Sequence, residues 1–213
     1  MVRRGGQPIQ RRSREMPPRE SFLIVVEGET ELYYLEGLRQ RLRLNPNQVR
    51  VCRGGCTDAR SLVACVLEMQ EAARHTTLGS YDRLCCVFDR EGNEDTRHDA
   101  QRLADALELA ATQGVTPYIS DPCIEFWFLL HFMCSCRHES QREVIKRLEG
   151  KLPGYKKALP DIYSRLVDFQ PQAFINSDRL RKLHLGAGRP EDANPSTKLD
   201  TLVQALLSLR MQR

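Results

Sequence analysis

The 213-residue sequence has no apolar run approaching the ~20 residues that a bilayer-spanning helix requires. Its basic N-terminus is not followed by an apolar h-region, which argues against a secretory signal, and we expect a cytoplasmic protein. There is no GxxxxGK[ST] loop, so any ATP hydrolysis must come from another protein. There is no internal repeat and no long low-complexity segment beyond the N-terminal tail. Paired CxxC knuckles are missing too. Without a secretory signal, the eight cysteines (Cys52, Cys56, Cys65, Cys85, Cys86, Cys123, Cys134 and Cys136) read as reduced thiols. Cys65, Cys85 and Cys86 suit core packing. His131, Cys134, Cys136 and His138, joined by Cys52 or Cys56, have zinc-ligand chemistry, but their spacing is irregular, and buried or incidental thiols are the stronger reading.

A charge of one sign is also missing from the body of the chain. The formal net charge is +4, and residues 1–20 carry all of it, with six Arg (3, 4, 11, 12, 14, 19) against two Glu (15, 20). The other 26 basic and 26 acidic residues cancel. A Gly/Pro/Gln/Arg-rich segment cannot build a core, so residues 1–20 read as a basic disordered tail, solvated or touching phosphates. The length suits one α/β domain with a small extension.

What the sequence does contain is a pair of strand-like runs that end in acids. Phe22-Leu23-Ile24-Val25-Val26 runs straight into Glu27-Gly28-Glu29-Thr30-Glu31. Leu84-Cys85-Cys86-Val87-Phe88 runs into Asp89-Arg90-Glu91. Five apolar residues bounded by turn chemistry read as a central strand of an α/β sheet, and such sheets bind ligands beyond the carboxyl ends of their strands.

Between and after these runs the spacing predicts further elements. Leu32, Leu35, Leu38 and Leu42 define a helix over 31–44, ending near Asn45-Pro46. Residues 49–51 form a short strand. Asp58 caps a helix over 59–73, striped by Leu62, Val63, Val66, Leu67 and Met69. Strands are expected at 21–26, 83–88 and 115–120, with a helix near 98–112. The order β-α-β-α-β-α-β implies a mostly parallel, right-handed sheet with helices on both faces. Residues 124–133 read as a strongly apolar helix carrying Glu125, Trp127 and His131. Helices follow at 141–150, 160–169, 172–185 and 198–210. We divide the chain into the tail (1–20), an α/β domain (21–136) and a helical C-terminal region packed on the same domain (137–213).

Glu27 and Glu31 lie one helical turn apart and can face one point, whereas Glu29, two residues on, is expected to point elsewhere. Asp89 and Glu91 project on the same side of an extended exit. Clustered carboxylates repel unless a cation or proton joins them, and Mg²⁺ or Mn²⁺ suits an all-oxygen donor set. Glu125 is a charge at the start of an apolar helix, where it must be paired, protonated, coordinated or turned to the solvent edge. His131 reads as a satisfied core histidine, Trp127, Phe128 and Phe132 as core anchors, and Ser196 or Thr197 as a cap for the last helix.

A Glu-Gly after a first strand and an Asp-x-acid after a later one resemble a Toprim domain, the metal-binding module of primases, topoisomerases and OLD-type nucleases. The wider set is similar to the RloB-like family over residues 20–207: VEGETE at 26–31, VFDRE at 87–91, DPCIEFWFLLHF at 121–132 and NPST at 194–197. The resemblance implies a Toprim-like α/β fold and a site in which Glu27 is a metal ligand or general acid/base. Glu31, Asp89, Glu91 and Glu125 would be further metal ligands. Glu91 stands where the Toprim motif has a second Asp. Lys156 or Lys157 would stabilise the transition state, and Arg90, Lys156 and Lys157 would contact substrate. The implied activity is Mg²⁺- or Mn²⁺-dependent cleavage of DNA or RNA, tRNA included. The implied setting is a bacterial anti-phage abortive-infection system with a partner ABC-type ATPase. The rival reading is a non-catalytic binding or regulatory subunit of such an ATPase, in which the acids are structural.

Overall fold

A computed structural model describes residues 20–77, 79–90 and 97–211, the side chains of 97–99 excepted. The basic tail up to residue 19 and Glu91 lie outside the described residues. The described residues form a five-stranded sheet in which β1 (Phe22–Val26) is flanked by β2 (Val49–Arg53) and β3 (Arg83–Asp89), followed by β4 (Val115–Asp121) and β5 (Ser196–Thr197) at the other edge. β1, β2, β3 and β4 are parallel neighbours. The crossover helices are α1 (Glu29–Arg41), α2 (Ala59–Arg74) and α3 (Arg97–Thr112).

The pleat distributes side chains of the central strands to two cores. Phe22, Ile24, Val26, Cys85 and Val87 face α1 and the C-terminal helices. Leu23, Val25, Cys86 and Phe88 face α2 and α3. All five residues of β1 are buried, as expected for a strand covered on both faces. Cys85 and Cys86 serve as small apolar fillers, one on each side, and burial pushes both thiols up to about 12.

Asp58 caps α2 as expected, accepting a hydrogen bond from the Ser61 amide at 2.9 Å. α1 starts at Glu29, two residues earlier than the leucine spacing suggested, because the turn at Gly28 passes directly into the helix. The DPCIEFWFLLHF segment supplies a short helix, α4 (Glu125–Leu130), in which every residue is buried. Its regular turn ends sooner than the apolar pattern suggested. Trp127 lies fully inside and donates its indole N–H to the Tyr34 hydroxyl at 2.7 Å. His131 is a satisfied core residue: its Nδ1 donates to the Trp127 carbonyl at 3.0 Å, and burial pulls its pKa down to about 4.

The C-terminal part comprises α5 (Gln141–Lys151), α6 (Ile162–Leu166), α7 (Gln170–Gly186) and α8 (Leu199–Met211). Val144, Leu148, Leu166, Leu180, Leu202 and Leu206 share one core with β1, α1 and α4. A short strand the sequence did not announce, β5 (Ser196–Thr197), pairs antiparallel with the end of β4. Two residues are too few to show alternation, so β5 is recognisable only from its pairing. Thr197 still accepts the Leu199 amide at the start of α8, at 3.2 Å. Among the described residues no helix is long and apolar enough to cross a membrane.

Candidate active site

Parallel pairing puts the C-terminal ends of β1, β2 and β3 side by side, and the acid-ended strands therefore discharge at one edge. The Glu27 amide donates to the Val87 carbonyl at 3.1 Å, locking the exits of β1 and β3 together. The Asp89 amide in turn reaches a Glu27 carboxylate oxygen at 3.4 Å. α1 carries Glu31 back over this point, and α4 brings Glu125 from beyond β4. The result is a cleft of about 380 Å³ lined by Glu27, Glu31, Asp89 and Glu125 together with Arg53 and Lys157.

Burial and the neighbouring carboxylates raise the proton affinity of Glu31 and Asp89. Glu31 is 5% exposed, and its pKa is pushed from 4.5 up to about 7. Burial is the main cause, with the Glu125 and Glu27 charges adding to it, while its own backbone hydrogen bond and Lys157 work against it. Asp89 is raised well above the usual carboxylate range, first by burial and then by Glu31, Glu125 and Glu27, although an Ile124 backbone hydrogen bond favours the charged form. Glu125 is 1% exposed; its Oε1 accepts the Tyr155 hydroxyl at 2.9 Å, and its Oε2 has no partner among the described residues.

In its chemistry, though not in its spacing, this donor set suits a hard divalent cation. It is all oxygen, it carries more negative charge than the two lining cations offset, and it leaves a buried carboxylate oxygen without a donor. The acids surround the cleft rather than closing into a shell: among the described residues, no three His, Cys, Asp or Glu are gathered at metal-ligating range. The Cys/His set with zinc-ligand chemistry is no exception, and His131 is committed to the core.

Gly28 sets the approach of Glu31. A β-carbon there would stand 2.7 Å from Glu31 Oε2, the far end of a flexible side chain. The backbone at Gly28 is extended, so alanine adds no strain. Gly28→Ala is therefore expected to fold with a stability change within about 1 kcal/mol while displacing the Glu31 carboxylate, and, on a metal-binding reading of the cleft, to weaken Mn²⁺ binding. Thermal melts and metal titration measure the two effects; unchanged affinity would exclude Glu31 from the site.

The remaining expected residues divide. Lys157 lines the cleft; Lys156, its exposed neighbour, does not. Arg90 is about half exposed and faces Asp121, its Nη1 3.6 Å from Oδ2, rather than lining the cleft. Glu29 departs from expectation. It lies at the cleft and pairs with Arg53 at 3.3 Å, because β2 extends two residues beyond its predicted end. Arg53, Thr30 and Tyr155 went unnoticed in the sequence. Arg53 carried a usable signal, since it closes a parallel strand at the binding edge. Tyr155 carried none, because its contact with Glu125 spans 30 residues.

No curated protein and no solved structure matches this chain. A family model does, that of the RloB-like proteins, over residues 22–206. That span covers every described residue of the cleft and all five strands, and the chain accordingly belongs to the RloB-like protein family.

Proposed function

We propose that this protein is a divalent-metal-dependent nuclease that hydrolyses phosphodiester bonds of DNA or RNA, tRNA included. We further propose that it serves as the effector of a bacterial anti-phage abortive-infection system, working with an ABC-type ATPase. The observation that carries the reading is the convergence of Glu27, Glu31, Asp89 and Glu125 on one cleft that also holds Lys157 and Arg53. Acids to hold a cation and cations to meet a phosphate are the two halves of phosphodiester chemistry. The Toprim-like character of the motifs supports the same reading.

Bound Mg²⁺ or Mn²⁺ would supply Lewis-acid activation of water and neutralise charge developing on the phosphate. The chain's own groups have separable tasks. Glu27, Glu31, Asp89 and Glu125 would hold the cation, with Glu91 a further candidate. Glu27, at the shared exit of β1 and β3, would also take a proton from water. Lys157, in the same cleft as the acids, would contact a phosphate oxygen. Arg53 adds a second cation, and the basic tail would add sequence-independent affinity for the backbone.

The test is incubation of purified protein with DNA, tRNA and other RNA in Mg²⁺ or Mn²⁺, alone and with the ATPase. Cleavage that disappears in Glu27→Gln supports the proposal. No cleavage under any of these conditions would sink it. The rival, a non-catalytic subunit of the ATPase complex, draws on the open spacing of the acids; it predicts no binding of Mg²⁺ or Mn²⁺ at all.

A further inference from the structure

We propose that Tyr155 is a positioning residue for Glu125, and that the 152–159 segment is a working wall of the site rather than a connector between helices. The inference rests on the metal-dependent reading above and adds to it a residue outside the Toprim-like motifs.

Glu125 is almost completely enclosed, and its Oε1 accepts the Tyr155 hydroxyl at 2.9 Å. That bond occupies one carboxylate oxygen and fixes the plane of the group. It leaves Oε2, which has no partner among the described residues, as the free acceptor of a residue lining the cleft. A ligand carboxylate held through its other oxygen is the usual arrangement around metal sites. Tyr155 is itself held. It is 6% exposed, and its ring packs edge-on against Phe128 with centroids 6.3 Å apart. Burial and the neighbouring Glu125 charge keep its hydroxyl protonated, so it stays a donor.

The rest of the segment is anchored with the same result. The Ala158 amide donates to Thr30 Oγ1 at 3.1 Å, tying the segment to the first turn of α1 beside Glu31. Ala158 adopts φ +55°, a left-handed conformation that alanine rarely takes without tertiary enforcement. Lys157 sits between these two anchors and lines the cleft. One short stretch of the C-terminal region thus orients an acid of the α/β domain and delivers a cation to the same cleft.

The experiment is Mn²⁺ titration of the intact protein and of Tyr155→Phe, Glu125→Gln and the double variant, with thermal melts of each. Tyr155→Phe keeps the ring and loses only the donor; Tyr155→Met is the second variant should the first fold poorly. The expected result is a loss of about tenfold or more in Mn²⁺ affinity for Tyr155→Phe, and no further loss when it is added to Glu125→Gln. A merely structural role would lower the melting temperature and leave the affinity alone. Wild-type protein that binds Mn²⁺ while Tyr155→Phe binds it equally well would overturn the assignment of Tyr155 and leave the metal reading standing, as would effects that simply add in the double variant. Wild-type protein that binds no Mn²⁺ would overturn both.

Discussion

On the proposed function, Asp89→Asn is expected to reduce nucleic-acid cleavage by at least about a hundredfold, the order lost when one preorganised electrostatic group is removed from an active site. The folded state should survive intact. Asp89 lies at the end of a central strand, paired on both sides through its backbone or that of its neighbours, and asparagine keeps the shape and the acceptor that the Ile124 amide uses. Its carboxylate, by contrast, is held among Glu31, Glu125 and Glu27 at an electrostatic cost. The substitution removes that cost, so the metal-free variant should melt at the same temperature as the parent or higher. Loss of function with gain of stability is the signature of a group retained for chemistry. Glu27→Gln should lose activity to a similar extent. The paired measurement is a cleavage rate in Mn²⁺ and a melt in EDTA. Activity within about threefold of the parent would remove Asp89 from the site, since the electrostatic argument demands a far larger loss. A large drop in melting temperature would recast it as structural.

The second large effect is a pH dependence of stability with an unusual sign for a neutral-pH protein. Glu31 has an ordinary value of 4.5 and is pushed up to about 7 in the fold, and Asp89 moves in the same direction. A folded state that holds protons more tightly than the unfolded chain gains stability at low pH. For Glu31 that contribution is fully present below about pH 4.5 and is lost as pH rises through about 7. Its ceiling is about 3 kcal/mol, because a tenfold difference in proton affinity between the folded and unfolded chain is worth about 1.4 kcal/mol. At roughly 2–4 °C per kcal/mol for a chain of this size, the metal-free protein should melt about 5–10 °C lower at pH 8 than at pH 5. Glu31→Gln, which has no proton to lose, should flatten that slope. On the proposed function Mn²⁺ should restore the lost stability at pH 8 by binding only the folded state. Parallel melting curves for parent and Glu31→Gln across this range would refute the account.

Much of the frame was legible in the chain. β1 and β3 announce themselves because strands buried on both faces must be apolar throughout. The acids that follow announce the binding edge, because parallel strands place their carboxyl ends together. α2 and α5 have conventional caps, Asp58 and the Ser140–Glu143 capping box. α7 was harder to bound, since Pro171 sits in its first turn and the preceding 3₁₀ turn at Val167–Phe169 runs into it. β5 is defined by a partner 77 residues away and has no local pattern.

The sequence by itself determined the four parallel strands and their direction, because continuous apolar runs and the strand–acid junctions that end them are local features; it offered Glu27, Glu31, Asp89, Glu91 and Glu125 as site acids partly through the family resemblance, and the fold gathers the four described ones at one cleft. Only the tertiary structure decided which basic groups face those acids and how the deepest of them is held. Lys157 rather than Lys156 lines the cleft, and Arg53 rather than Arg90. Tyr155 reaches Glu125 from the far side. Those choices depend on how a loop between two late helices folds back on the mouth of the sheet. The contacts span 30 residues from Tyr155 to Glu125 and 128 from Ala158 to Thr30, distances over which no sequence periodicity survives.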